Sequence, residues 1–296
     1  MTGGRFMAMD SPLEGSEIAV FGAPFDATSS FRPGSRFAPG EMRSHFAALE
    51  EYSPALGRSL RDRRICDMGD LAIAPSDVRG MQAAVAGAVN AVMDAGSRPL
   101  MIGGEHLVTL PAVRAIMDRM SGRRTGLGHM SGDPPDAGLA VVHLDAHSDL
   151  RDEYMGCRES HACVMRRVWE VVGDGRIRQF GIRSGDASEY VWNVGNRHVF
   201  QTADGLGGFG EMAEALGGVP VYLSIDLDVF DPSALPGTGT PEPGGITYND
   251  FRAALPHLRR LNVAAADIVE LSPHHDPSGA STILACKVLR ELLLCM

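Results

Sequence analysis

Short apolar runs recur along this chain and alternate with stretches in which apolar residues return every three or four positions. The runs fall at 17–22, 64–67, 98–103, 139–145, 176–182, 197–200, 219–226 and 262–271. Apolar-rich runs this short read as strands, and the more continuous of them as strands buried on both faces of a sheet. Between them, Met81, Val85, Val89 and Val92 recur at helical spacing from Ser76 to Ala95, with Ser76 as the expected N-cap and Gly96 as the stop. Thr247-Tyr-Asn-Asp250 is a capping-box variant that should open a helix near 247–260, and Ile283, Leu284, Val288, Leu289 and Leu292 mark a last helix. Strands alternating with helices predict an α/β protein, an eight-stranded parallel sheet between two helical layers. No linker or repeat divides the chain, so residues 1–296 are expected to form one domain. One stretch breaks the rhythm: the Gly/Pro/Ser-rich segment 121–138, for which a functional loop, an oligomer contact and a tolerated insertion are all open. His129 within it is expected to be solvated.

Composition narrows the classes. A hydrophobic content of 44% and a mean hydropathy of −0.04 suit a globular chain with a sizeable core. The formal charge of −10, from 27 Lys+Arg against 37 Asp+Glu, argues against a nucleic-acid surface and favours cationic small molecules. The five cysteines are odd in number and lack CxxC spacing, so neither a disulfide framework nor a zinc ribbon is indicated. No signal-peptide core and no apolar stretch near the ~20 residues of a membrane span are seen, so a cytoplasmic protein without membrane contact is expected.

The chemistry gathers at three strand ends. Leu139-Ala-Val-Val-His-Leu-Asp145 runs into Ala-His147-Ser-Asp149; Val219 to Ile225 runs into Asp226-Leu-Asp228; Pro99 to Ile102 runs into Gly-Gly-Glu105-His106. In open α/β sheets ligands collect beyond the carboxyl ends of strands. One Asp there is usually a cap and one His a hydrogen-bonded core residue. Six such residues on three strand ends are a different matter. His106, Asp145, His147, Asp149, Asp226 and Asp228 are too many ligands for one ordinary site. They fit two divalent ions sharing carboxylates, and the carboxylate–imidazole mixture suits Mn2+ better than a thiolate-seeking metal.

These motifs also resemble the arginase–agmatinase (ureohydrolase) family: GGEH at 103–106, DAHSD at 145–149 and SIDLDVFDPSALPGTGTPEPGG at 224–245, in that order. Phe21-Gly-Ala-Pro-Phe-Asp26, Arg32 to Gly40 and Glu270-Leu-Ser-Pro273 are similar to its flanking motifs, so the resemblance spans about 17 to 296. It implies a three-layer αβα fold, two Mn2+ ions, and hydrolysis of a guanidino group to urea and an amine. It further implies that His106 and Asp149 serve one ion, His147 and Asp228 the other, and that Asp145 and Asp226 bridge them. Trimers or hexamers are common in the family, so a homo-oligomer is expected.

Two further residues are candidates for catalysis. His161, at the start of a helix through Val164, Val168 and Val171, stands where the family has a functional His; its usual Gly neighbour is replaced by Ala162. An imidazole is the natural acid for a departing amine near neutral pH. Glu270 ends the eighth strand, where the family uses a Glu and where a carboxylate can pair with a guanidinium edge. Asp149 is a third, as an acceptor that aims the attacking water. Cys163 reads as a small buried residue, and His274 and His275 as candidates for the mouth of the site.

The substrate must be discriminated at its far end. The Ser-Gly-Asn signature of arginases is absent, replaced by Cys157-Arg-Glu-Ser160, and Leu150-Arg-Asp-Glu-Tyr154 looks like the agmatinase loop. Asp152, Glu153 or Glu159 could face an ammonium group; Arg151 or Arg158 could instead face a carboxylate. Agmatine, giving urea and putrescine, is therefore the expected substrate. Guanidinobutyrate, arginine and formiminoglutamate are the alternatives, and a non-catalytic metal-binding paralogue is a further one. A single-zinc deacetylase-like amidohydrolase is disfavoured by the complete second ligand set.

Overall fold

The computed structural model describes residues 5–122 and 138–296. His129 and most of the 121–138 segment lie outside the described residues. In chain order the first half contains β1 (Ile18–Ala23), α1 (Ala38–Phe46), β2 (Tyr52–Ser53), β3 (Arg58–Ser59), β4 (Ile65–Asp70), α2 (Val78–Asp94), β5 (Arg98–Gly103) and α3 (Thr109–Met120). The second half contains β6 (Ala140–Leu144), α4 (Val164–Val172), β7 (Ile177–Phe180), α5 (Ala187–Trp192), β8 (Phe200–Thr202), α6 (Phe209–Leu216), β9 (Pro220–Asp226), α7 (Tyr248–Leu258), β10 (Asn262–Val269) and α8 (Ala280–Cys295).

Eight strands form one parallel sheet in the order β4-β1-β5-β10-β9-β6-β7-β8, while β2 and β3 make a small antiparallel hairpin that the apolar pattern did not announce. Side chains alternate across each strand, so each strand feeds two cores. Ile18, Val20, Leu100 and Ile102 pack with α1, α6, α7 and α8; Ala19, Phe21, Met101 and Val141 pack with α2, α3 and α4. This is the expected three-layer arrangement. All five cysteines are free thiols. No helix among the described residues is long and apolar enough to cross a membrane.

Three local expectations are corrected or sharpened. The strand expected at 197–200 begins only at Phe200 and pairs with β7 through Thr202. Asn193 Oδ1 accepts from the amides of His198 and Val199, and that side chain holds the preceding residues in a turn. The helix after Ser76 is capped by Asp77, not Ser76: its carboxylate accepts from Gly80 N at 2.8 Å. Gly96, at φ +77°, does end it. The capping box at Thr247 and Asp250 forms as expected, each side chain accepting from the other's backbone N–H.

Candidate metal centre

The strands β5, β10, β9 and β6 are adjacent, and their carboxyl ends open on one side of the sheet. Past the end of β5 the chain must turn sharply. Gly104 permits this, because a Cβ there would stand 1.9 Å from the carbonyl oxygen of Phe25. The turn delivers His106 beneath the end of β9. Asp145 follows β6 directly, and Asp149 lies further on at φ +53°, a left-handed conformation that turns its side chain back toward the sheet. A non-glycine residue held there is a strained position of the sort found at functional sites.

The hydrogen-bond polarity around His106 decides what this cluster wants. Tyr222 OH, Thr109 Oγ1 and Ser224 Oγ all donate to the buried carboxylate of Asp267, Ser224 at 2.7 Å. Ser224 has then spent its proton and accepts from His106 Nε2 at 2.9 Å. In neutral His106, Nδ1 therefore presents a lone pair. It points at Asp145 Oδ2, Asp149 Oδ2 and Asp226 Oδ2, which lie 3.2, 3.2 and 3.1 Å away. His106 Nδ1 and Asp145 Oδ2 are both buried without a hydrogen-bond partner. Four acceptors facing one another in a buried site need a proton or a metal ion between them. Burial disfavours the His106 imidazolium, but the three carboxylates raise the imidazole well above the usual range. A divalent ion fits the same atoms.

A second set shares Asp145. His147 Nδ1 is 2.9 Å from Asp228 Oδ2 and 3.6 Å from Asp145 Oδ1. Asp228 also accepts from Ala146 N and from Thr240 Oγ1. Asp145, His147 and Asp228 converge closely enough to hold an ion, as do His106, His143 and Asp145. Burial pushes Asp226 and Asp228 upward, and the other carboxylates of the cluster add to this, a cost that a bound cation removes. The structure thus brings all six expected ligand residues together.

His143, which the sequence reading passed over, stands behind the cluster. Gln201 donates to Gln179 Oε1, so Gln179 Nε2 faces Ser148 O and His143 Nδ1 as a donor. His143 Nδ1 accepts, which leaves the proton on Nε2, 2.8 Å from Asp145 Oδ2. His143 thus stands behind Asp145 with its Nε2–H toward that carboxylate, at ion-pair distance but outside hydrogen-bond alignment.

A cavity of about 180 Å³ opens onto the cluster, lined by His147, Asp149, Asp226 and Asp228 together with Arg151, Tyr154, His161, Glu189, Thr240 and Glu270. His161 N donates to Thr28 Oγ1, and burial lowers its imidazole below the usual range. Glu270 sits at φ +64°, buried, accepting from His106 N at 2.8 Å; burial first, and then Glu105 nearby, push it well above the usual carboxylate range. Glu189 is also new. It closes a capping box on α5 and accepts from Ser148 Oγ and Leu150 N, tying the Asp149 segment down.

The charged residues expected at the substrate's far end are mostly committed elsewhere. Glu159 accepts from Gln82 and Arg114, and Asp152 pairs with Arg158 and Arg167. Glu153 is exposed and is not among the lining residues. Arg151 does line the cavity, over the ring of Tyr154. His274 and His275 both turn to the carbonyl of Pro33, and Cys163 is buried as expected.

Comparison with known proteins agrees with this geometry. The family model described as Arginase family matches residues 16–295. An agmatinase of Bacillus anthracis is 38% identical over 99% of this chain and 96% of its own length. A guanidinobutyrase of Pseudomonas aeruginosa is 30% identical over 98% of this chain and 90% of its own. Among solved structures, a putative agmatinase from Clostridium difficile superposes with a TM-score of 0.88 at 42% identity, covering 96% of this chain and 98% of that one.

Proposed function

The chain belongs to the arginase family, and on that premise we propose that it hydrolyses the guanidino group of agmatine to urea and putrescine with two Mn2+ ions. The observation that carries the metal part is the set of facing acceptors, His106 Nδ1 against Asp145, Asp149 and Asp226. His106 and Asp149 would hold one ion, His147 and Asp228 the other, with Asp145 and Asp226 shared. When bound, the metals supply concentrated positive charge that acidifies water and stabilises charge building up on the reacting group.

The remaining work falls to side chains. Asp149, fixed at its left-handed turn, offers an acceptor that aims the attacking water at the planar guanidinium carbon. Glu270, buried and anchored through His106 N, presents its other oxygen to the guanidinium N–H edge, and the cationic guanidinium offsets the burial that raises this carboxyl and favours its ionised form. His161 lines the same cavity and gives its proton to the departing amine nitrogen as the C–N bond breaks.

An amine-tailed substrate fits the mouth. Arg151 is the one arginine among the described lining residues, and Glu189 and Asp186 stand 3.9 and 4.0 Å from it. Its charge is shared with these carboxylates, and beyond the metal cluster and Glu270 the rest of the described lining is uncharged apart from the imidazole of His161. A second reading has support in the length of those two pairs: Arg151 is held loosely enough to turn toward a substrate carboxylate, as guanidinobutyrate would present. Urea release by Mn2+-reconstituted protein, compared across agmatine, guanidinobutyrate and arginine, tests both. The highest kcat/KM on agmatine supports the first reading; the highest on guanidinobutyrate replaces it with the second.

A further inference from the structure

His161 is fixed from behind by residues far away in sequence. Thr28 Oγ1 lies 3.4 Å from His161 Nδ1 and accepts from His161 N at 3.1 Å. The same hydroxyl donates to Glu105 Oε1 at 2.7 Å, while Glu105 Oε2 accepts from Thr28 N at 2.8 Å and Ser29 Oγ at 3.2 Å. Glu105 is fully buried beside His106 and makes no hydrogen bond to the metal cluster. On the cavity side, His161 Nε2 is 3.3 Å from Ser30 Oγ.

We propose that Thr28, backed by Glu105, is a positioning residue that fixes the tautomer and ring orientation of His161; the inference rests on the reading of His161 as the acid for the leaving amine. Each hydroxyl has one proton to give. With Glu105 ionised, Thr28 spends its proton on that carboxylate, so toward His161 its oxygen can only accept. His161 Nδ1 must therefore carry a hydrogen in both protonation states of the ring. The exchangeable proton is then confined to Nε2, the nitrogen that faces the cavity. On C–N cleavage the bonding pair goes to the amine nitrogen, that nitrogen takes the Nε2 proton, and the N–H pair returns to Nε2. Without Thr28's oxygen, Nδ1–H would face an apolar methyl group, and the tautomer protonated at Nε2 would become the better hydrogen-bonded one.

The test compares wild-type, T28V and T28S protein. Valine keeps the β-branched shape and removes the hydroxyl; serine restores it. With Mn2+-reconstituted protein and agmatine, T28V is expected to lose roughly tenfold to a hundredfold in kcat with KM little changed, because proton delivery and not binding is impaired, and T28S should recover most of it. In metal-free protein, carbethoxylation of His161 by diethyl pyrocarbonate, followed by peptide mass spectrometry, should slow several-fold in T28V and return in T28S, since only a ring with a free Nε2 lone pair reacts from the cavity. Wild-type kcat and wild-type modification in T28V would overturn the proposal. So would parallel loss of kcat and substrate affinity that serine does not rescue. If the wild-type chain released no urea, the functional reading would fall, and the carbethoxylation comparison would still decide whether Thr28 sets the tautomer.

Discussion

The backbone N–H of His106 donates to Oε1 of Glu270 across 164 positions of sequence, joining the ends of neighbouring strands β5 and β10. A residue assigned to metal binding and one assigned to substrate binding are thereby held at a fixed separation. In E270Q the amide oxygen can still accept from His106, so metal content should stay at the wild-type level. The charge facing the guanidinium is lost. A hydrogen bond to a charged group contributes about 1.5–3 kcal/mol, so kcat/KM should fall roughly tenfold to a hundredfold. Wild-type kcat/KM in E270Q would remove Glu270 from substrate binding.

Metal removal should act on stability as well as on activity. A ligand at 100 times its Kd stabilises the folded state by about 2.7 kcal/mol, so chelation should lower the Tm and abolish urea release, and added Mn2+ should restore both. H143F keeps the ligand set but removes the donor behind Asp145. Outer groups that orient metal ligands typically contribute about tenfold to a hundredfold in affinity, so H143F should bind Mn2+ that much more weakly by calorimetry. Unchanged affinity would make His143 a packing residue only.

H161F should separate chemistry from binding. General acid catalysis contributes about 10²–10⁴-fold, and a loss of that size in kcat is expected with near-normal metal content and KM. A rise in KM with kcat intact would place His161 on the binding side of the cavity instead.

Asp276 anchors the segment entering α8, its carboxylate accepting from the backbone and hydroxyl groups of Ser278 and Ser281. Burial alone would raise its pKa, but these four hydrogen bonds hold it down at about 2, against an ordinary value of 3.8. The lowered folded-state value means that its stabilisation is present above the unfolded pKa and is lost as pH falls through the folded one. D276A should cost about 1–2 kcal/mol at neutral pH, as loss of a capping carboxylate does. Denaturant titrations should show that difference shrinking as pH drops from about 4 toward 2. A difference independent of pH would assign the effect to packing.

The candidate metal ligands were readable because strand and motif coincide. His106, Asp145 and Asp226 each follow an apolar run, and a parallel sheet gathers the ends of its strands on one edge. The residues that support them were harder to see. His143 did carry a signal, two positions before Asp145 and so on the same face of the strand, but it sat inside an apolar run that read as core. Glu105 lay inside the GGEH motif but Thr28 had no signal, and their meeting at His161 depends on the segments that follow β1 and β5 coming together. Asp152 and Glu159 looked available for a substrate ammonium because a sequence does not show which charges face each other. Their partners, Arg167, Arg114 and Gln82, lie on helices α4, α3 and α2. The late start of β8 had a comparable cause, since only the fold brings Asn193 against the amides of His198 and Val199.

The strand order has a consequence for biosynthesis. β10, the last of the described strands in chain order, is inserted between β5 and β9 in the middle of the sheet. Until residues 262–269 emerge, the edge carrying His106 has no neighbour linking it to the edge carrying Asp226. β6 and β9, which carry Asp145, His147 and Asp228, both precede β10 in the chain, so affinity for metal during translation should rise in two stages, the second when β10 joins β5 to β9.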